Sequence, residues 1–162
     1  MNTSFENSSI NRIDALESCF EAVRDLRFLV QKVVVEPTGL SMAEADIVYA
    51  TYSIGQGREI YHPISGGFCL LEEIMKISTR EDYDAPKTSK ILQGLIKKGL
   101  VEILKFRDLA KSETTKVVHG NSKCLKLTAE GEGLASQLAE RYASFASHFT
   151  ERIPIEKLAI QT

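Results

Sequence analysis

A helix that passes straight into a β-hairpin is the feature of this sequence that most constrains its fold. Asp84 and Pro86 supply a capping carboxylate and a first-turn proline for a helix that ends at Gly99. Glycine there permits the left-handed turn by which a strand can leave a helix at once. Residues 100–106 and 123–127 then alternate apolar and polar side chains, and a polar, basic stretch separates them. The pattern predicts a β-hairpin with a long tip.

Helical periodicity predicts the elements on either side. Apolar residues recur at three- and four-residue steps over about 11–35 and again over 128–153, so both segments are expected to be long amphipathic helices. Ser41 and Glu44 form a capping-box pattern that begins a helix reaching about Ile54. The polar residues that precede the first helix, 1–10, are expected to be flexible.

A short third helix is predicted between these elements and the hairpin. Phe68, Leu71, Ile74 and Met75 have helical spacing. Five glycines and prolines make the segment before it a loop, in which residues 58–61 are a candidate short strand. The predicted order is four helices, two strands and a last helix.

Length and composition indicate one domain. With 162 residues the chain has the common size of a single domain, and residues 11–162 are assigned to it. No run of about 18 apolar residues indicates a membrane span, and the first residues lack the order of a signal peptide. The expected location is the cytoplasm, with no membrane partner.

The cysteines and histidines give no sign of a metal or a disulfide framework. Cys19, Cys69 and Cys124 are odd in number and far apart, which favours reduced, buried thiols. The three histidines are equally scattered. We therefore expect no metal site and no cofactor.

Charge is distributed unevenly along the chain, although the net charge is only −2. Residues 80–126 contain 11 Lys and Arg against 6 Asp and Glu, whereas residues 1–79 contain 6 against 11. A basic middle between acidic ends is expected if one face meets phosphate.

Helical geometry predicts the two faces of the helix that ends at Gly99. The inner side chains are Thr88, Ile91, Leu92 and Leu95. At 100° per residue the outward side chains are Lys87, Lys90, Gln93, Gly94 and Lys97.

Two motifs give this order of elements a family resemblance. Residues 88–102 read TSKILQGLIKKGLVE and residues 127–134 read LTAEGEGL. They resemble the recognition helix with its L-x-x-K-G-L-V-x exit, and the L-T-x-x-G-x-x-L step into the dimer helix, of the MarR family of winged-helix transcription regulators. With the element order, the resemblance covers about residues 13–149.

The resemblance implies a mainly α, winged helix-turn-helix fold with a small β-wing. Helices of about 11–35 and 128–153 would form a dimerisation lobe, and residues of about 41–127 a DNA-binding lobe. A homodimer would place two recognition helices in adjacent major grooves of a pseudo-palindromic duplex, with half-sites roughly 34 to 36 Å apart. The candidates for base contact are Lys87, Thr88, Ser89, Lys90 and Gln93. The candidates for phosphate contact are Lys97, Lys105, Arg107, Lys111, Lys116 and Lys123.

Members of such families commonly bind a small aromatic or lipophilic effector between the two lobes. Tyr49, Tyr52, Tyr61 and Phe68 are the candidates to line such a cleft, and ordinary core packing explains these side chains equally well. Cys19 lies on the first helix, a position that resembles that of the cysteine in the family's thiol-based peroxide sensors. An inert thiol is favoured for Cys19.

Two other function classes stay open at this point. A winged helix used only for protein interaction would keep the fold without binding DNA, and the overall pI near 6.0 supports it. Catalysis is disfavoured, because Glu72 and Glu73 diverge on a helix and no Ser, His and Asp arrangement is suggested.

Overall fold

The computed structural model describes residues 3–57, 64–78, 85–109 and 118–152. Within these residues the chain has five α-helices and three strands. In chain order they are α1 (Thr3–Val30), α2 (Met42–Gly55), β1 (Cys69–Leu70), α3 (Leu71–Ile77), α4 (Ala85–Lys97), β2 (Val101–Lys105), β3 (Lys123–Leu127) and α5 (Ala129–Arg152). The predicted order is confirmed, with one strand added.

Helix α1 begins at Thr3, eight residues before the predicted start. It continues through a wider π-helical turn at Gln31–Val35 and a 3-10 turn at Glu36–Thr38, and it ends where Gly39 adopts a φ of 74°. The sequence indicated this end through its Glu-Pro-Thr-Gly run. The division of the chain into a flexible segment 1–10 and one domain stays a prediction.

Helix α2 is fixed at its start by the predicted capping box. The Ser41 hydroxyl accepts a hydrogen bond from the Glu44 backbone N–H at 3.2 Å, and the Ser41 N–H donates to the Glu44 carboxylate at 2.9 Å. Ile47, Val48 and other α2 side chains are fully buried, because the helix packs against α3, α4, α5 and the sheet. Helix α2 is therefore the centre of the fold.

The three strands form one antiparallel sheet in the order β1-β3-β2. Strand β2 pairs with β3 from Val101 opposite Leu127 to Lys105 opposite Lys123, which confirms the predicted hairpin. Strand β1 was not predicted, since two residues are too few to show an alternating pattern. The candidate strand at 58–61 lies outside the described residues.

The sheet separates two apolar clusters. The main cluster joins α2, the inner faces of α4 and α5, and one face of the hairpin. A smaller one on the other face contains Phe68, Leu70 and Cys124. Phe68 therefore precedes α3 and packs under the hairpin, rather than belonging to the helix as predicted. Among the described residues, no helix combines the length and apolarity needed to cross a membrane.

Candidate nucleic-acid interface

Helix α4 has one buried and one exposed face, as its periodicity predicts. Leu92 and Leu95 are 2% and 0% exposed, whereas the outward side chains lie in solvent. The exposed ones are Lys87, Lys90, Gln93 and Lys97, and Ser89 is half-buried. These side chains place three amines and an amide on one side of the helix.

Two α4 positions are more buried than the basic side chains around them. Thr88 is 9% exposed beside Leu92 and Leu95, which confirms its predicted place on the inner side of the helix. Its contact with a base edge stays a prediction. Gly94 was expected to face outward but is half-buried, and a Cβ added to it would lie 3.1 Å from the Glu44 carboxylate.

The exit of α4 is tied to the start of α5. Gly99 has a φ of 70°, and the Leu100 N–H donates to the Leu95 carbonyl at 3.0 Å, which closes the predicted glycine cap. The Thr128 hydroxyl donates to the Gly99 carbonyl at 2.7 Å and accepts from the Gly131 N–H at 3.1 Å. Thr128 thus caps α5 and joins it to the exit of α4.

The same exit is tied to α2 on another side. Lys98, directly after α4, donates from Nζ to the Glu44 carboxylate at 2.7 Å and to the Gly39 carbonyl at 3.3 Å. The Glu44 side chain is 11% exposed and that of Lys98 is 42% exposed. Burial by itself raises the pKa of Glu44, but the hydrogen bonds from Lys98 and from the Ser41 N–H outweigh it and lower that pKa.

The hairpin carries positive charge towards its tip. Lys105 and Lys123 are exposed and lie directly opposite each other, whereas Glu102 and Lys126, nearer the base, form an opposite-charge pair with a 3.7 Å contact. Like charges at opposed positions repel, so an anion placed there would relieve them. The Arg107 side chain is exposed. The backbone N–H of Arg107 donates to the Gly120 carbonyl, which extends the pairing beyond the strands. Two further candidates, Lys111 and Lys116, lie outside the described residues.

Helix α1 exposes large apolar side chains in the single chain. Phe20 and Val23 are 72% and 64% exposed. Phe28, Leu29 and Val33 are each about half exposed. Val34 and Val35, in the turn that follows α1, are fully buried, whereas none of residues 17–30 of α1 is buried. Exposed apolar surface of this kind usually marks a contact with another molecule.

A cavity of about 540 Å³ lies where α2, α3 and α5 meet the end of α1. Tyr49 and Tyr142 lie side by side in its wall, with ring centroids 5.1 Å apart. The Ser78 hydroxyl, in a residue 6% exposed, has no hydrogen-bond partner in the described structure and belongs to the same wall. The other lining residues are Val30, Met42, Asp46, Ala50, Ser53, Ile77, Phe145 and Ala146.

Of the predicted cleft residues, the three within the described part of the chain are not brought together in one cavity wall. Tyr49 lines the cavity and Tyr52 packs beside the main core, but Phe68 lies in the separate cluster under the hairpin. Tyr61 lies outside the described residues. Tyr142 and Phe145 also line the cavity; their helical spacing in α5 indicates an apolar side but does not show that this side faces a cavity.

Three solved structures share this architecture. A MarR family transcription regulator superposes with a TM-score of 0.64 at 14% identity, covering 96% of this chain and 86% of that one. AbfR, in a disulfide-formed state, gives 0.56 at 14%, with 94% and 93% covered. NadR in complex with 4-hydroxyphenylacetate gives 0.52 at 18%, with 86% and 82% covered. The chain has the MarR-like winged-helix fold. No family model and no curated protein matches the sequence.

The three cysteines of this MarR-like chain fall into two environments. Cys69 and Cys124 are buried, as expected, and burial raises the pKa of both thiols, that of Cys69 to about 11. Cys19, on α1, is exposed, so the expectation that all three are buried is wrong for this residue. The pattern of α1 predicted an apolar side but not that its own chain leaves that side uncovered.

Proposed function

We propose that this chain is a sequence-specific regulator of transcription that binds double-stranded DNA as a homodimer on a pseudo-palindromic operator. The observation that carries the proposal is the face of α4, where Lys87, Lys90 and Lys97 flank Gln93 within the basic segment 80–126. Amines suit guanine acceptors and phosphates, and a glutamine amide can bind adenine through two hydrogen bonds. Helix α4 would enter the major groove.

Each remaining candidate has a role in this proposal. Lys87, Ser89, Lys90 and Gln93 would contact base edges, and Lys97 and Lys105 would contact phosphates. The further phosphate candidates are Arg107, Lys111, Lys116 and Lys123. The uncovered apolar face of α1, together with the start of α5, would form the interface with a second copy.

Fluorescence anisotropy with a random-sequence duplex of about 24 base pairs tests DNA binding directly. We expect affinity that falls linearly on a log-log plot against salt. Replacing Lys111 and Lys116 together should reduce that slope by about 2 for each protomer bound to the duplex, if both contact phosphate. The control replaces Lys32, whose amine lies 2.8 Å from the Glu36 carboxylate in the turns that follow α1, and should leave the slope unchanged. Absence of any salt-sensitive affinity would favour the alternative, a winged helix for protein interaction only.

We also infer that a small aromatic effector binds in the cavity beside Tyr49. The support is the apolar wall with two tyrosines and the buried Ser78 hydroxyl, a group that would gain a hydrogen bond from a polar ligand. NadR was solved with 4-hydroxyphenylacetate, so this compound is a reasonable first probe. It should raise the thermal midpoint of the wild type but not of Ala146→Phe, in which a ring is added to the cavity wall. An equal shift in both proteins would place the ligand elsewhere.

A further inference from the structure

The Glu44 and Lys98 pair lies behind the proposed DNA-binding face and belongs to none of the proposed DNA contacts. It joins the first turn of α2 to the residue that follows α4. From the side of α5, the Thr128 hydroxyl holds the next residue, Gly99, through its carbonyl. The exit of α4 is thus held at two successive residues by two different helices.

Both members of the pair have their geometry fixed by more than each other. One oxygen of Glu44 accepts from both the Ser41 N–H and Lys98, and Lys98 also donates to the Gly39 carbonyl. Gly94 lets α4 approach closely, because any larger residue would bring a Cβ to 3.1 Å from the other Glu44 oxygen. A charge-assisted bond with this support holds the end of α4 at one distance from α2.

Lys97 and Lys98 are adjacent in sequence but occupy different environments. Lys97 ends the exposed basic face of α4, whereas the amine of Lys98 is turned towards the start of α2. The Lys98 ammonium has three N–H donors, and two of them already donate to the Glu44 carboxylate and the Gly39 carbonyl. The charge of Lys98 is also balanced by Glu44. The two lysines should therefore contribute to DNA binding in different ways.

We propose that Glu44 and Lys98 are positioning residues that set the angle at which α4 enters the major groove, and so determine sequence specificity without touching DNA. This inference rests on the proposed function. The expected effect of removing Glu44 on DNA affinity is the opposite of the usual effect of removing an acidic group. Removing an acidic group near a DNA-binding surface ordinarily strengthens binding, because repulsion of phosphate is lost. Removing Glu44 should weaken specific binding instead.

The experiment compares two DNA samples of about 24 base pairs. One is a single duplex that the wild-type protein selects from a pool of random sequences, and the other is the unselected pool. Glu44→Gln retains an acceptor for the Ser41 N–H but loses the charge. We expect Glu44→Gln and Lys98→Met each to bind the selected duplex about tenfold more weakly, the effect of losing one base contact. Binding to the random pool and its salt slope should stay as in the wild type. Lys98→Arg, which keeps the charge, should recover most of the specificity.

Matched controls separate positioning from charge and from folding. Glu130→Gln removes an acidic group beside Gly99 without breaking the pair, so it should bind both duplexes as well as the wild type or better. Lys97→Met should weaken binding to both duplexes and reduce the salt slope by about 1 for each bound protomer. All measurements are made well below the thermal midpoint of the least stable variant, so a change in stability alone leaves the ratio of the two affinities unchanged.

Three results would overturn the inference. Stronger binding by Glu44→Gln would make Glu44 a simple repulsive charge, and a reduced salt slope for Lys98→Met would make Lys98 a phosphate contact. Unchanged discrimination in both variants would show that the pair does not position α4. If the wild type itself binds neither duplex, the proposed function fails first and the inference falls with it.

Discussion

Helices α1 and α5 have the same kind of apolar pattern, yet their apolar side chains differ in solvent exposure in the folded chain. In α5, Ala135 and Leu138 are fully buried, and Tyr142 is half-buried beside them. In α1, Phe20 is 72% exposed and Val23 is 64% exposed. An amphipathic pattern states that one side of a helix avoids water, but it does not state which molecule covers that side.

The difference begins at the wide turn that follows α1. Val34 and Val35, within that turn, are fully buried against the rest of the chain, while Val33 is 52% exposed. Turns of this kind insert one residue into a helix and change which side chains face inward. The chain is thus anchored in the core at the end of α1, and α1 itself remains available to another molecule.

The largest effect is expected where α5 meets the exit of α4. A Cβ added to Gly131 would lie 2.0 Å from the Leu100 carbonyl oxygen, so Gly131→Ala must displace backbone and should destabilise the fold by about 4 kcal/mol. Gly133→Ala is the matched control, because nothing lies within 4 Å of its added Cβ, and alanine should stabilise the helix by about 0.5 to 1 kcal/mol. Urea unfolding measures both, and similar values for the two would contradict the close contact.

A matched pair of leucines tests the comparison most directly. Leu138→Ala in α5 should lower the free energy of unfolding by about 3 kcal/mol, because it empties a fully buried site. Leu29→Ala in α1, at a site 47% exposed, should change the unfolding of a monomer by less than about 0.5 kcal/mol. The measurement is urea unfolding at the lowest practical protein concentration. A large loss for Leu29→Ala under these conditions would show that its own chain covers α1.

The dimer is the third test. Replacing Phe20 and Val23 with serine should raise the dimer dissociation constant about thirtyfold, since each side chain loses apolar burial against the second copy. Leu104→Ser, which removes a leucine 42% exposed on the hairpin, is the control and should leave the constant unchanged. Light scattering over a dilution series gives the dimer dissociation constants of the wild type and of the two variants. Equal dissociation of all three proteins would remove α1 from the interface.

A smaller effect is expected from acid. The pKa of Glu44 lies below its ordinary value of 4.5 in the folded chain, so its contribution is complete above that value and is lost as the pH falls through the folded-state pKa. The wild type should lose about 1 kcal/mol more than Glu44→Gln over this acid range, a modest amount because Lys98 is partly in water. Parallel acid profiles for the two proteins would show that the pair adds no stability.

The smallest perturbation is thiol labelling of the native protein. Iodoacetamide at about pH 8 should modify Cys19 on α1 and spare Cys69 and Cys124, because burial protects the latter two and raises their pKa. Mass spectrometry should find one label per chain, and none in Cys19→Ser. Native labelling of Cys69 would contradict the burial of β1.

Local chemistry made much of the fold readable in the sequence. The Ser41 and Glu44 capping box, the glycine cap at Gly99 and the Thr128 cap are short-range patterns, and each is present in the structure. Strand β1 escaped prediction because its two residues become a strand only through pairing with β3. The cleft was only partly predicted, since Tyr49 faces the cavity while Phe68 lies on the other side of the sheet.

The basic face of α4 could be predicted because helical geometry fixes which residues share a side. What holds that face in place could not, because Lys98 and Glu44 are 54 residues apart and no local rule pairs them. The sequence by itself determined the five helices, the β2–β3 hairpin and the capped helix ends, all of which depend mainly on neighbours within about four residues. Tertiary structure alone decided that Ala135 and Leu138 of α5 are covered and that Phe20 and Val23 of α1 are not, because burial depends on which distant surfaces meet when the chain folds.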